Sequence, residues 1–465
     1  MSGSVTMAWN DDFQVAAESV NGAHTVDMAY DGDGLLAQAG GLALTRDSTG
    51  GRVERVDGTD TTYRYAYDLV GRLERVWENG AEIAHYTYDA NGNRLSEDPA
   101  AAEPIASYDD QDRLVTRLDA TYAYSLDGVL AARTDGAGTT SYDYDALGNL
   151  RSAVLPDGRA IDYVVDGLGR RVGKRVDGVL VAGWLYGSQL RVAAELDGTG
   201  NVVSRFVPGG VVRGGVTYGI VRDERGSVRL VVDTTSGAVA QRMEYDAWGR
   251  VLVDTNPGFQ PFGFAGGLYD PDTGFVRFGA RDYDPEVGRW TSRDPVYWAS
   301  GQPNLYEYVG GDPINLTDVT GYYSIPTGTD PAIEERIHDA MTELREQMAS
   351  TSCISCKEYF AKANNPQLKN MEEWTKNNGQ PPYFMIKDRE STTEKDIKGH
   401  AQKTMAFTNI YLFRDIFTGP MSPCTLASIL LHEGGHLARM DTVENEPADF
   451  FNTCRIGCVL PGRFR

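Results

Sequence analysis

Two histidines four residues apart flank a glutamate in His432-Glu433-Gly434-Gly435-His436. On a helix, positions i and i+4 share a face with Cβ atoms roughly 5–6 Å apart, so both rings can reach one metal. Glu433 sits beside them on the turn and is suited to take a proton from metal-bound water, the chemistry of zinc-assisted hydrolysis. The chain holds six histidines, and two of them fall here. The competing reading is a pair of core histidines. A three-ligand zinc site needs one more donor: Glu446 is favoured, then Glu444, then Asp441. The expected cofactor is Zn2+.

Such a site needs a rigid helix beneath it. Ser422-Pro423 opens one, and Leu426, Ile429 and Leu430 give it an apolar face before His432. Two adjacent glycines in a helix cost about 1 kcal/mol each, which close approach of a strand or substrate would explain. Pro447 is a natural early residue of a following helix, at whose start Glu446 stands. Upstream, Asp330 and Pro331 cap a helix whose Ile333, Ile337, Met341, Leu344 and Met348 recur at spacings of three and four. Tyr383–Ile386 and Thr408–Phe413 read as short strands. Residues 322–465 are therefore expected to form a small α+β domain.

All five cysteines lie in this tail. Cys353-x-x-Cys356 and Cys454-x-x-x-Cys458 could build a structural zinc site. Disulfides formed in an oxidising compartment are the favoured alternative, with Cys424 pairing to Cys454 or Cys458. A Cys-x-x-Cys redox motif is the weakest reading, because no βαβ pattern surrounds it.

Before residue 322 the composition is different. Residues 1–321 hold 44 of the 52 glycines and a single lysine, Lys174, against eight lysines after the boundary. They carry 28 basic and 47 acidic residues, hence −19 of the total −22. The body also repeats. Tyr67-Asp68-x-x-Gly71-Arg72 recurs as Tyr88-Asp89-x-x-Gly92-Asn93, Tyr144-Asp145-x-x-Gly148-Asn149 and Tyr245-Asp246-x-x-Gly249-Arg250. Weaker copies start at Tyr108 and at Tyr163, the latter reading Asp166-Gly167-Leu168-Gly169-Arg170. Between them run alternating segments such as Thr62–Tyr67 and Arg72–Trp77, so each unit reads as a hairpin that must stack on its neighbours. Each Tyr-Asp pair is expected to serve turn and packing, with no chemistry of its own.

On these residues the chain resembles the YD-repeat, or Rhs, family. The resemblance implies a spiralling all-β sheet that forms a shell around a C-terminal toxin. Full members are several times longer, so the chain reads as a C-terminal piece or an incomplete shell. The expected architecture is multidomain: YD-repeat hairpins over 1–263, an associated core over 264–321, and a zincin-like domain over 322–465. The core strip includes Gly279-Ala-Arg-Asp-Tyr-Asp-Pro-Glu-Val-Gly-Arg-Trp-Thr-Ser-Arg-Asp-Pro295 and ends in Asp318-Val319-Thr320-Gly321. Proteins similar to it cut themselves after a terminal Asp-Pro-x-Gly with two aspartates. Carried over, Asp294 and Asp318 form the dyad and Gly321–Tyr322 is the scissile bond, although proline is missing from this copy. Two close carboxylates suit the work because one can act as acid while the other activates water. Nothing in their spacing brings them together, and the bland reading places both in Asp-initiated turns. The tail likewise resembles metallopeptidase toxin domains found at the ends of Rhs proteins, and a glutamate from a following helix matches the gluzincin ligand arrangement.

The resulting expectation is an Rhs-family toxin of interbacterial competition whose zinc endopeptidase tail is freed by self-cleavage. Its expected partners are an immunity protein, a protein or peptide substrate, and the rest of the shell or a delivery apparatus. The alternative is a structural or adhesive cell-surface protein with a binding tail. The acidic balance argues against nucleic-acid partners, a nuclease tail and anionic membrane surfaces. No run of about 18 apolar residues and no signal peptide is visible, so a secreted or surface-delivered protein needs another carrier.

Overall fold

In the computed structural model the described residues are 5–10, 15–20, 24–31, 36–39, 41–47, 52–58, 61–98, 100, 103–295 and 304–327, with the backbones of three later strands. The chain divides into two compact units: Met1–Asp294 with Asn304–Gly321, and Pro295–Pro303 with Tyr322–Arg465. Of the second unit, the strands Tyr383–Lys387 and Thr408–Phe413 stand where short strands are expected at Tyr383–Ile386 and Thr408–Phe413, and they pair in parallel. His400–Lys403 adds an antiparallel third. The helices expected near 331–349 and 423–439, the motif His432–His436, the ligand candidates Glu446, Glu444 and Asp441, and all five cysteines lie outside the described residues.

The first unit is a meander. Nine strands from Val5–Trp9 to Ala81–His85 pair each with the next, followed by a two-stranded ladder of Thr87–Tyr88 with Arg94–Ser96. Sixteen more run in strict sequence order from Ala106–Tyr108 to Val251–Asp254. Short hairpins and sequential antiparallel pairing are what a Tyr-Asp-x-x-Gly repeat dictates.

The turn explains the motif. In the copy at Tyr67, the Asp68 Oδ1 accepts from the amides of Val70 and Arg72 at 3.0 and 2.9 Å. Its Oδ2 accepts from Arg72 Nε at 2.7 Å. Gly71 takes φ +92°, a left-handed conformation that a side chain would strain. One extra residue is inserted beside Tyr67, so the ladder shifts register there, as it does at Tyr88, Tyr108, Tyr144 and Tyr245. The tyrosine then stitches one repeat to the one before. Tyr88 donates to the Leu73 carbonyl at 2.5 Å, Tyr108 to Arg94 at 2.6 Å and Tyr186 to Arg171 at 3.0 Å. Each acceptor is the residue just after the Arg or Asn that closes the preceding turn. The closing arginine also lies over the next tyrosine, Arg72 over Tyr88 at 4.4 Å and Arg170 over Tyr186 at 4.9 Å. The motif thus does structural work, as its repetition implied.

Residues 262–321 behave differently. Four short strands, Leu268–Tyr269, Val276–Phe278, Arg281–Asp284 and Arg289–Trp290, form their own sheet. Arg281–Asp284 is buried at every position, so both faces of this strand are covered. Phe264, Phe278, Tyr283, Trp290 and Tyr308 share one core with Leu44, Val56 and Val76 from early strands and with Ile220, Val231 and Met243 from late ones. The two ends of the ribbon therefore meet on this strip.

Candidate functional site

The strip is held by polar anchors as well as by its aromatic core. Arg289 donates to Asn93 Oδ1 at 2.7 Å, Arg277 to Asn149 Oδ1 at 2.6 Å and to the Gly169 carbonyl at 2.9 Å. Arg171 and Arg277 share Asp282 at 2.8 and 2.9 Å. Lys174, the body's lone lysine, binds Asp270 and Asp272 at 2.6 and 2.5 Å. Asn315 accepts from the Val53 amide at 2.7 Å. Charges buried this deeply are tolerated only when paired and hydrogen-bonded.

Within this frame stands one convergence. Arg281, whose side chain is 4% exposed, reaches Asp318 Oδ2 at 3.1 Å and Asp294 Oδ2 at 3.4 Å. Its Nε donates to the carbonyl oxygen of Gly321 at 2.6 Å. Both aspartates and the carbonyl of the expected scissile bond therefore meet on a single guanidinium, despite the 24 residues separating the two carboxylates in sequence. A planar fork with donors on several sides suits three oxygen acceptors at once. The Trp290 ring lies 3.9 Å from the guanidinium carbon and holds it in place.

The end of the strip is pressed onto this arginine by two glycines. Ala280 donates its amide to the Thr320 carbonyl at 2.9 Å. Gly321 adopts φ +69°, and a Cβ there would sit 2.5 Å from the Phe278 carbonyl oxygen and 2.7 Å from the Arg281 amide. Gly279, opposite, takes φ +39° with no room for a side chain against the Thr320 carbonyl. Thr320, two places after Asp318, donates its hydroxyl to Asp318 Oδ1 at 3.0 Å. That hydrogen bond orients the carboxylate in a tetrapeptide without proline. Burial first, and then the charge of Asp318, push the Tyr308 phenol well above its ordinary value, so it stays protonated.

Sequence reasoning named Asp294, Asp318 and Gly321, and the structure brings these three together. It missed Arg281, Trp290 and Thr320. It also pictured two carboxylates facing each other, whereas a guanidinium lies against both. Tyr322 begins the second unit. The available signal was a strand dense in charge, Arg281-Asp282-Tyr283-Asp284, inside an aromatic-rich strip, a pattern more easily read as an exposed edge. Among the described residues no group of three or more His, Cys, Asp or Glu side chains is placed to hold a metal.

A family model described as Teneurin YD-shell matches residues 51–314, more than half of the 465. The chain belongs to the Teneurin YD-shell family. Its described ribbon, all strands apart from single helical turns at Phe264–Gly266 and Val309–Gly311, is the YD-shell fold. Among curated proteins, this YD-shell chain is 31% identical to Teneurin-3 of Danio rerio over 274 residues, covering 55% of the chain and 10% of that protein. It is 32% identical to Teneurin-4 of Homo sapiens over 290 residues, again 10% of that protein. It is 27% identical over 317 residues to Double-stranded DNA deaminase toxin A of Burkholderia cenocepacia, covering 59% of the chain and 22% of that toxin. The match thus spans about a tenth of the teneurins' length. A crystal structure of TcdB2-TccC3 aligns with 69% of the chain and 21% of its own at a TM-score of 0.43 and 16% identity. No helix among the described residues is long and apolar enough to cross a membrane.

Proposed function

We propose that this YD-shell chain is an Rhs-type toxin that cuts its own Gly321–Tyr322 bond and so frees residues 322–465 as a zinc endopeptidase. The observation that carries the first half is the meeting of Asp294, Asp318 and the Gly321 carbonyl on Arg281, where the first compact unit ends. In the reading, one carboxylate takes a proton from the attacking water and the other supplies one to the leaving nitrogen of Tyr322. Kinship with a protein named as a toxin supports it.

The second half rests on sequence. His432 and His436, with Glu446, would hold Zn2+, which supplies Lewis acidity to such a site. Glu433 then serves as the proton acceptor. Delivery outside the producing cell, a cognate immunity protein and a protein or peptide substrate follow from the same reading. The test has two arms. The parent expressed in an insensitive host appears as fragments of roughly 35 and 16 kDa, at about 110 Da per residue of ordinary composition, and Asp294→Asn or Asp318→Asn leaves one full-length band. Glu433→Ala keeps its zinc but loses toxicity, on the order of 10²–10⁴ in rate for a lost general base. Efficient cleavage in both asparagine variants removes the dyad, and undiminished toxicity of Glu433→Ala removes the peptidase.

A further inference from the structure

We propose that Lys174 and Asp270 join in an intramolecular isopeptide bond, with Asp272 carrying the protons, and that this bond fastens the strip covalently to the ribbon. Lys174 stands on the strand Arg171–Val176. Asp270 heads the turn Asp270–Gly274 in the strip, 96 residues further on. Lys174 Nζ donates to Asp270 Oδ1 at 2.6 Å and to Asp272 Oδ2 at 2.5 Å. The Tyr163 hydroxyl donates to Asp270 Oδ2 at 2.5 Å, and the Asp272 amide donates to Oδ1 at 2.9 Å. Lys174, Asp270 and Tyr163 are all buried. With an ordinary hydrogen-bond angle at Oδ1, the carboxyl carbon stands roughly 3–3.5 Å from Nζ, the range of a near-attack arrangement.

The residue type separates this cluster from an ordinary ion pair. Of the 28 basic residues in 1–321, 27 are arginine. Buried pairing elsewhere in the unit uses arginine, as in Arg171–Asp282, Arg225–Asp223 and Arg281–Asp318. A guanidinium keeps its proton, whereas an ammonium can yield one and become a nucleophile. The two carboxylates differ as well. Asp270 has both oxygens held and a side chain 5% exposed, against 22% for Asp272. Burial opposes ionisation of Asp272, but hydrogen bonds from Lys174 and Arg159 hold it below the usual carboxylate range, which suits a base. Burial first, and then the charge of Asp270, push the Tyr163 phenol well above its ordinary value, so it remains a donor to Oδ2.

The step balances as a condensation. Nζ passes one proton to Oδ1 of Asp270, leaving an amine and a carboxylic acid. The amine lone pair bonds to the carboxyl carbon while the π pair moves onto Oδ2, under the Tyr163 hydroxyl. Asp272 takes a proton from the attached nitrogen and delivers it to Oδ1. The bond from carbon to Oδ1 breaks, the carbonyl re-forms at Oδ2, and Oδ1 leaves as water. Ammonium and carboxylate become amide and water, and nothing is oxidised or reduced. Bulk water disfavours such a condensation, but groups held in one cage react with effective molarities on the order of 10⁵–10⁸ M. The partly exposed Asp272 gives the released water a way out.

The experiment is mass spectrometry of the full chain made by cell-free synthesis, denatured before measurement, so the parent itself gives the answer whether or not a variant folds. The species that holds residues 174 and 270 should be lighter than its sequence by one water. After trypsin digestion, Val172–Arg175 should appear as a branch on Val251–Arg277, joined at Asp270. Lys174→Arg, which keeps the charge, and Asp270→Ala should both retain the full mass. Asp272→Ala should link more slowly in a time course, on the order of 10²–10⁴-fold for a lost proton carrier. A parent at its full sequence mass, with a free Lys174 amine in the digest, overturns the bond. A branch on Asp272 overturns the choice of acceptor, and linkage of Asp272→Ala at the parental rate overturns its role as proton carrier.

Discussion

Replacing Gly321 by alanine tests the seating of the carbonyl of the proposed scissile bond without touching any side chain of the site. The new Cβ would start 2.5 Å from the Phe278 carbonyl oxygen, a backbone atom that cannot swing away, where ordinary contact begins near 3.4 Å. The segment must therefore back off by roughly 1 Å. The Arg281 Nε to Gly321 O distance of 2.6 Å then opens to roughly 3.6 Å, past the limit of a hydrogen bond. Left-handed φ adds about 1–2 kcal/mol of backbone strain for a non-glycine residue. A misplacement of this size at a reacting group costs on the order of 10²-fold in rate. The assay is the time course of full-length chain turning into two fragments, resolved by gel and by intact mass. Gly274→Ala is the control, because Gly274 has φ +76° with nothing within 4 Å of its missing Cβ. It carries the strain without the clash and should cleave like the parent. Parental cleavage of Gly321→Ala would show that the carbonyl does not need this seat.

Further outcomes follow from the ribbon and the strip. Asp166→Ala removes the acceptor for the amides of Leu168 and Arg170 and for Arg170 Nε at 2.9, 3.0 and 2.8 Å. It should lower unfolding stability by on the order of 1–2 kcal/mol, read from the denaturant midpoint, and a loss under a few tenths would mean the turn holds without its carboxylate. Burial first, and then the neighbouring charge of Glu286, raise the Asp284 carboxyl to about 6. A raised folded-state value means that the stability linked to this group is complete below about 4 and lost as pH climbs to about 6. Asp284→Asn should flatten that part of the stability profile, and an unchanged slope between pH 4 and 6 would refute the assignment.

The turns were legible because each obeys a local rule. Asp68 caps two amides and Gly71 supplies positive φ within five residues, so pattern and structure are the same information. The strands of the second unit at 383 and 408 were legible for the same reason, their apolar runs being short and β-branched or aromatic. The burial of the strip was not. Arg277, Asp282 and Arg289 would mark solvated strands anywhere that lacked partners, and these three find partners over 100 residues away at Asn149, Arg171 and Asn93. The family resemblance named the two aspartates without supplying Arg281, because a motif records residues and not the group they share.

The same long-range partners decide when the site can exist. Arg281–Asp284 is a strand with little reason to form alone, since its charges need Arg171 and Arg277 and its aromatic neighbours need the core shared by both ends of the ribbon. The segment that brings Asp318 and Gly321 to Arg281 is tied down by Asn315 on Val53 and by Asp312 facing Arg52 at 3.4 Å, contacts between the last and the early parts of the first unit. Non-local pairing of this kind forms late, after loop-closure entropy has been met. A bond cut by this convergence is therefore cut last. On the proposed reading, Tyr322 is separated only from a shell that has already closed on its strip, and a ribbon that fails to close keeps its tail attached.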